Sequence, residues 1–350
     1  MSYQELAEDI NDLPFKKTSL VDVTNKLPSK PPCRIFFKNE YEQPSGSFKV
    51  RGIGTLIYKE ICKAREKCPS KRIHVFASSG GNAGLAAAYS AQYYQVSCTV
   101  FLPITTKPHV IKKLHSYNAK TVMCGNNIYE ADKNLKRMLL EANNSVYPIY
   151  CHPFDNPAIW EGHASLVDEI YDEQIPGATA NNIRGLVCSV GGGGLYNGLM
   201  KGLYRNSRSN TEILLVETNQ APTLLETVKA QKIVTLKSVN SLATSLACSY
   251  LSEQSLQNYF KSKFKTHIDS IDDQEAVRAT VDFYNNFGTV VEPACGTSLS
   301  IAYNQINLLT KHFKDLSPND IIVVVVCGGS CSTEDDIISY RRSLRNVFKL

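Results

Sequence analysis

The stretch Gly185-Leu-Val-Cys-Ser-Val-Gly-Gly-Gly-Gly-Leu195 decides how the rest of the chain is read. A run of apolar and β-branched residues stops at Val190, four glycines follow, and a segment of helical period (195–204) begins at once. A strand that is apolar along its whole length is buried on both faces. One that turns straight into a helix belongs to a parallel sheet. Four residues without a Cβ let successive backbone N–H groups converge on one anion, and the helix start adds unsatisfied donors and its positive dipole end. A phosphate group is the expected occupant. The competing explanation, a flexible connection, fits poorly between a buried strand and a helix.

The same pattern recurs on either side. Strand-like runs at 73–77, 97–102, 120–124, 212–217 and 321–327 precede helical segments at 83–94, 108–117, 129–143, 221–230 and 334–346. With 185–190 these make six strand–helix units, more than a minimal single sheet uses, so two parallel sheets flanked by helices are expected. Two further turns, Ser78-Ser-Gly-Gly-Asn82 and Gly328-Gly-Ser330, also follow strands. Open α/β sheets bind their ligands beyond such C-terminal strand ends. The stretch 235–271 has no regular period.

Composition excludes several function classes. Of 350 residues, 43% are hydrophobic and 20% charged, which supports a folded core and not wholesale disorder. Lys plus Arg (38) exceeds Asp plus Glu (33) by only five, and the excess is scattered, so neither nucleic acid nor an anionic membrane is an expected partner. The longest apolar run, 321–327, falls far short of the roughly 20 residues that span a bilayer. Eleven cysteines without a C-x-x-C are read as reduced thiols of an intracellular chain. The acidic start, 1–10, has neither secretory nor transit character, so a cytoplasmic location is expected. Neither dinucleotide fingerprint nor P-loop occurs.

A phosphate pocket still suits a sugar phosphate, a flavin mononucleotide or pyridoxal phosphate. The segment Gln43-Pro-Ser-Gly-Ser-Phe-Lys-Val-Arg-Gly52 bears on the choice. Lys49 follows an aromatic residue and stands just before a helix expected over 54–64, where its amine can be desolvated against a flat cofactor. On composition alone, a surface lysine followed by Arg51 explains it as well.

Six motifs in order resolve the ambiguity. Pro44-Ser-Gly-Ser-Phe-Lys-Val-Arg-Gly52, Ser78-Ser-Gly-Gly-Asn-Ala-Gly84, His152-Pro-Phe-Asp-Asn-Pro157 with Trp160-Glu-Gly-His163, Ser189-Val-Gly-Gly-Gly-Gly-Leu195, Val291-Glu-Pro-Ala-Cys-Gly296 and Cys327-Gly-Gly-Ser330 span most of the chain. Together they resemble the serine/threonine dehydratase family of fold type II pyridoxal-phosphate enzymes, in particular its eukaryotic catabolic members. The resemblance implies a two-lobed α/β fold of the tryptophan synthase β type, with 43–162 as the small lobe and 1–42 plus 163–350 as the large one. It also implies a homodimer and closure of the lobes on an amino-acid substrate.

The resemblance assigns residues as well. Lys49 is the Schiff-base lysine and general base, Phe48 flanks the cofactor ring, Asn82 bonds the ring hydroxyl and Gly191, Gly192, Gly193 and Gly194 cradle the phosphate. Pro153 borders the pocket, Ser245 occupies the ring face opposite Phe48, and Cys327 faces the ring nitrogen. Ser79, Gly80, Asn82 and Ala83 surround the substrate. Glu217, Ala221, Thr223, Leu246 and Cys248 fall at positions that bind a monovalent cation such as potassium, although an ordinary ion pair explains Glu217 nearly as well. A thiol at the ring nitrogen cannot hold a pyridinium as a carboxylate would, which favours β-elimination over transamination. The activity implied is deamination of L-serine to pyruvate and of L-threonine to 2-oxobutyrate, in amino-acid catabolism and gluconeogenesis.

Two departures matter: Gly80, and Ser245, which stands where some relatives carry alanine. Mammalian relatives carry alanine at the position of Gly80, so more room beside the substrate is expected here. Serine racemases carry a serine there and a histidine at the position of Ala83, so racemisation lacks its second-face proton donor. The alternatives are such a racemase or a β-replacement enzyme, and an inactive paralogue acting as a binding subunit.

Overall fold

A computed structural model describes residues 13–141, 144–207 and 210–348. The acidic stretch 1–10 and the end of the helix expected over 129–143 lie outside the described residues. The strands are β1 (Leu20–Asp22), β2 (Arg34–Asn39), β3 (Arg72–Ala77), β4 (Ser97–Leu102), β5 (Lys120–Met123), β6 (Val146–Cys151), β7 (Ile183–Ser189), β8 (Glu212–Thr218), β9 (Thr266–Ile271) and β10 (Ile321–Val326). They form two sheets, as expected. The order is β5-β4-β3-β6 in one and β1-β2-β10-β7-β8-β9 in the other. Every pairing is parallel except β1 with β2. No helix among the described residues is long and apolar enough to cross a membrane.

The chain divides into two compact units. One comprises Gln43–His163 with the described part of Met1–Lys16; the other comprises Lys17–Glu42 and Ala164–Leu350. The first contains the four-stranded sheet, the second the six-stranded one.

In the six-stranded sheet β10 is central, and all its residues, Ile321-Ile-Val-Val-Val-Val326, are buried. β-Branched side chains pack well on a pleated surface covered on both faces. β10 pairs with β7 in register Val323↔Leu186 and Val324↔Val187, so the turns that follow the two strands emerge side by side. In the four-stranded sheet the chain leaves β3 for β4 on one side and later returns to β6 on the other. This is a topological switch point, the place where such sheets open a crevice. Ala77 and Cys151 pair there, so the 78–82 turn and the His152 loop start as neighbours.

Four strands had no sequence signal strong enough to predict them. β6 contains Pro148 and β9 is polar, and both are edge strands, where a missing donor or a solvated face is tolerated. The three-residue β1 is the other edge of its sheet, and β2, next to it, mixes Arg34 and Lys38 with its apolar residues. The helix expected over 54–64 begins earlier, at Lys49, and runs to Lys67. Lys49 is therefore the first helical residue and does not precede the helix.

Candidate active site

In the unit built on the four-stranded sheet, Phe48 is the N-cap and Lys49 the first residue of the Lys49–Lys67 helix. The Lys49 Nζ donates to the Pro153 carbonyl at 2.7 Å and lies 5.2 Å from the Phe48 ring centroid. Pro153 is held in turn by its loop, because His152 Nδ1 accepts the amides of Phe154 (3.2 Å) and Asp155 (2.7 Å). Burial, above all, pushes the His152 imidazole down to about 4, so it stays a neutral acceptor. The Phe48 ring packs on His163, centroids 5.0 Å apart. His163 is fully buried, neither ring nitrogen has a hydrogen-bond partner among the described residues, and burial followed by the Lys49 and Arg51 charges keeps it well below its usual value. Its neutral ring acts as an apolar wall behind Phe48.

The Ser78-Ser-Gly-Gly turn leads into the helix Asn82–Tyr93, which Asn82 opens with Gly81 as N-cap. Ser79 Oγ accepts the Gly81 amide at 3.2 Å, and Ala83 is buried. Ser78 donates to Asp132 at 2.6 Å, as does Tyr150, so Asp132 anchors the turn from the helix Ile128–Leu140. Gly80 does not leave the additional room expected. A Cβ there would run into Thr106 Oγ1 and crowd Thr106 Cγ2 at 3.1 Å. The space is filled from another loop, and Thr106 Oγ1 is itself bonded to the Pro103 carbonyl at 2.8 Å.

The other unit carries the tetraglycine turn. Gly193 has a left-handed backbone (φ +88°) and is the N-cap of the helix Gly194–Arg205. A Cβ on Gly193 would strike Ser255, and one on Gly191 would lie 3.0 Å from Leu246 Cα. Ser252 N donates to Gly192 O (3.0 Å) and Ser255 Oγ to Gly193 O (3.2 Å), so the irregular segment after β8 clasps the turn. Cys327 directly follows β10; its Sγ is 3.6 Å from Ser189 Oγ at the end of β7. Ser245 lies on the turn Thr244–Leu246 and donates its hydroxyl to Glu292.

The cation candidates fall into two bonded groups. Glu217, wholly buried, accepts the amides of Leu224 (2.9 Å) and Leu225 (2.8 Å) at the start of the helix Thr223–Ala230. Burial pushes its carboxyl up to about 7, against the help of those two amides. Thr223 Oγ1 donates to the Cys248 carbonyl at 2.6 Å, which brings the helix start to the turn holding Leu246. Ala221 is buried beside them in sequence, its amide on Thr218 O at 2.9 Å. No group of three or more His, Cys, Asp or Glu suited to a metal ion occurs among the described residues.

Thus Phe48, Lys49 and Pro153 are brought together in one unit, beside the turn with Ser79, Gly80, Asn82 and Ala83. Gly191–Gly194, Cys327, Ser245 and the cation candidates belong to the other unit. Sequence reasoning missed Thr106, Asp132 and the contacts of Glu292 with Ser245 and Cys331. No local signal marks the first two; Glu292 stood in a recognised motif.

This α/β architecture, with a buried-strand–glycine turn and a lysine at a helix start, defines a pyridoxal-phosphate-dependent enzyme, and the chain belongs to that family, whose model matches residues 13–328. It is 39% identical over 335 residues to the catabolic L-serine/threonine dehydratase of Saccharomyces cerevisiae, covering 95% of this chain and 92% of that one. It is 36% identical over 314 residues to the L-serine dehydratase/L-threonine deaminase of Bos taurus, covering 88% and 90%. The fold matches the crystal structure of a fungal L-serine ammonia-lyase from Rhizomucor miehei with a TM-score of 0.82 and 27% identity, over 94% of this chain and 99% of that one. The architecture is fold type II.

The residues present fit the cofactor. Its phosphate suits a cradle that has no room for a Cβ at Gly191 or Gly193 and that ends in a helix N-terminus. Its aldehyde carbon needs a lysine amine held in place, as Lys49 is by Pro153.

Proposed function

We propose that this chain is a pyridoxal-phosphate-dependent ammonia-lyase that converts L-serine to pyruvate and L-threonine to 2-oxobutyrate, releasing ammonia. The observation that carries this reading is the seating of Lys49: its amine is fixed on a backbone carbonyl, against Phe48, at a helix start. The relatives named for serine and threonine deamination support the substrate class.

The cofactor, when bound, supplies an electron sink for the substrate Cα. Lys49 would hold it through the amine, and the same amine would serve as general base toward the substrate Cα proton. The amides of Gly191–Gly194 would hold its phosphate and Asn82 its ring hydroxyl, with Phe48 and Ser245 on either side of its ring. The thiol of Cys327 would offer the ring nitrogen only a weak hydrogen bond, a setting suited to loss of a β-hydroxyl. Ser79, Gly80, Asn82 and Ala83 receive the substrate, and Pro153 borders the pocket. A potassium ion at Glu217, Ala221, Thr223, Leu246 and Cys248 belongs to the same proposal. So do a cytoplasmic homodimer, a small lobe at 43–162 with a large lobe of 1–42 and 163–350, and a catabolic role feeding gluconeogenesis. Sedimentation velocity tests the dimer by a mass twice that of the 38.8 kDa chain.

The deciding experiment assays purified protein for ammonia and 2-oxo acid from L-serine and L-threonine, alongside D-serine. Borohydride reduction should fix the cofactor on the peptide containing Lys49. Lys49→Ala should lose turnover by roughly 10³-fold or more while remaining folded. Normal turnover by that variant would sink the mechanism, and D-serine as the main product would sink the elimination reading.

A further inference from the structure

The motif Glu292-Pro-Ala-Cys295 opens the helix Pro293–Tyr303, every residue of which is buried. Glu292 is the N-cap, yet its side chain makes no capping bond, and its carboxylate is 3% exposed as part of the residue. The carboxylate faces two other segments. Oε1 accepts the Cys331 amide at 2.8 Å, and Oε2 accepts the Ser245 hydroxyl. A Cβ on Gly329, whose φ is +130°, would overlap the carboxylate, so Glu292 and the 328–331 turn fit each other only with glycine at 329. The start of one wholly buried helix therefore holds the 328–331 turn through the Glu292 carboxylate.

The donor and acceptor inventory adds a direction. A carboxylate only accepts, and bonds to it are stronger than neutral ones. The Cys331 amide cannot turn, whereas a serine hydroxyl can. With Glu292 accepting both, the Ser245 proton is committed inward, and its remaining lone pairs face the other way.

We propose that Glu292 is a positioning residue for the ring-nitrogen end of the cofactor: it shapes the 327–331 turn and directs the Ser245 hydroxyl, so that Cys327 and Ser245 meet the ring in one arrangement. This role rests on the pyridoxal-phosphate reading above. Glu292→Gln keeps the shape but offers one acceptor and one donor. Its carbonyl oxygen must go to the Cys331 amide, its NH₂ then faces Ser245, and the serine proton turns outward.

The test compares holoenzymes. Glu292→Gln should shift the absorption and fluorescence of the lysine-bound cofactor and lower kcat for L-serine about tenfold, with KM close to wild type. Ser245→Ala, a change in an exposed turn, should reproduce the spectral shift. The double variant should be no worse than the stronger single one, because both act through one bond. An unchanged spectrum and kcat in Glu292→Gln, whatever its Tm, would reduce Glu292 to a structural residue and overturn the proposal, as would strictly additive effects. If Glu292→Gln does not fold, Ser245→Ala decides alone: unchanged spectrum and kcat overturn it. A wild type without the lysine-bound cofactor band, and with Lys49 unmodified by borohydride, fails the underlying reading instead. A wild type with the band and an indistinguishable Glu292→Gln sinks only the positioning role.

Discussion

At the scale of single residues, the pair Gly80 and Thr106 shows how a small side chain can be misread in isolation. Glycine in place of alanine signals a vacancy when only the chain is considered. In the folded unit the volume belongs to Thr106, whose hydroxyl is tied to the Pro103 carbonyl at 2.8 Å and cannot swing away without losing that bond. Gly80→Ala should therefore cost about 1–3 kcal/mol through overpacking, and it should lower kcat/KM as the turn carrying Ser79 and Asn82 shifts. Thr106→Ala removes Oγ1 and Cγ2 and leaves only Cβ, 3.2 Å away, so Gly80→Ala/Thr106→Ala should recover most of the loss. Thermal melts and kcat/KM for L-serine and L-threonine check this; a Gly80→Ala enzyme as stable and active as wild type would refute it. Lys49 presents the opposite case. The motif that singled it out is local, although the carbonyl that holds it comes from a loop 104 positions later.

At the scale of elements, the start of the helix Thr223–Ala230 bears on the proposed cation. Glu217 leaves the end of β8 to accept two of that helix's first amides, where the helix dipole favours negative charge. Burial still opposes the charge, and a cation on the remaining lone pairs would relieve it. The hydroxyl of Thr223 binds the helix to the Leu246–Cys248 turn through the Cys248 carbonyl, which gathers oxygen donors of the hard kind potassium takes. Potassium should accordingly raise the Tm of the holoenzyme relative to lithium at equal ionic strength. Glu217→Gln should abolish that difference. An equal response to both salts in the wild type would remove the cation from the account and leave Glu217 as a helix cap.

At the scale of the molecule, stability should carry a signature of two imidazoles, the half-buried His152 and the buried His163, in the unit built on the four-stranded sheet. His152 is pushed down to about 4 and His163 well below its usual value, burial being the largest cause for both. The charges of Asp155 and Asp132 raise His152 while Lys136 and Lys49 lower it; Lys49 and Arg51 act on His163. Both rings are neutral when folded, whereas in the unfolded chain they take up protons below about 6.5. The unfolded state then binds more protons, so their contribution is intact above about pH 6.5 and declines as the pH falls towards 4. Urea denaturation at pH 7.5, 6 and 5 should show that decline. A flat profile, with the same proton uptake in both states, would contradict it.

The sequence by itself determined the parallel-strand pattern and the glycine turn between a buried strand and a helix. β-Branched runs and missing Cβ atoms act on the backbone where they stand, so their meaning survives without the fold. The edge strands β6 and β9 were not legible, since a proline or a polar face is tolerated only through position in a sheet. The partners that tune the site were equally hidden: Ser245 and Glu292 are 47 positions apart, and Ser78 and Asp132 are 54. Which donor meets which acceptor depends on strand order and on how closely two segments pack, and those distances exist only once the sheets have formed.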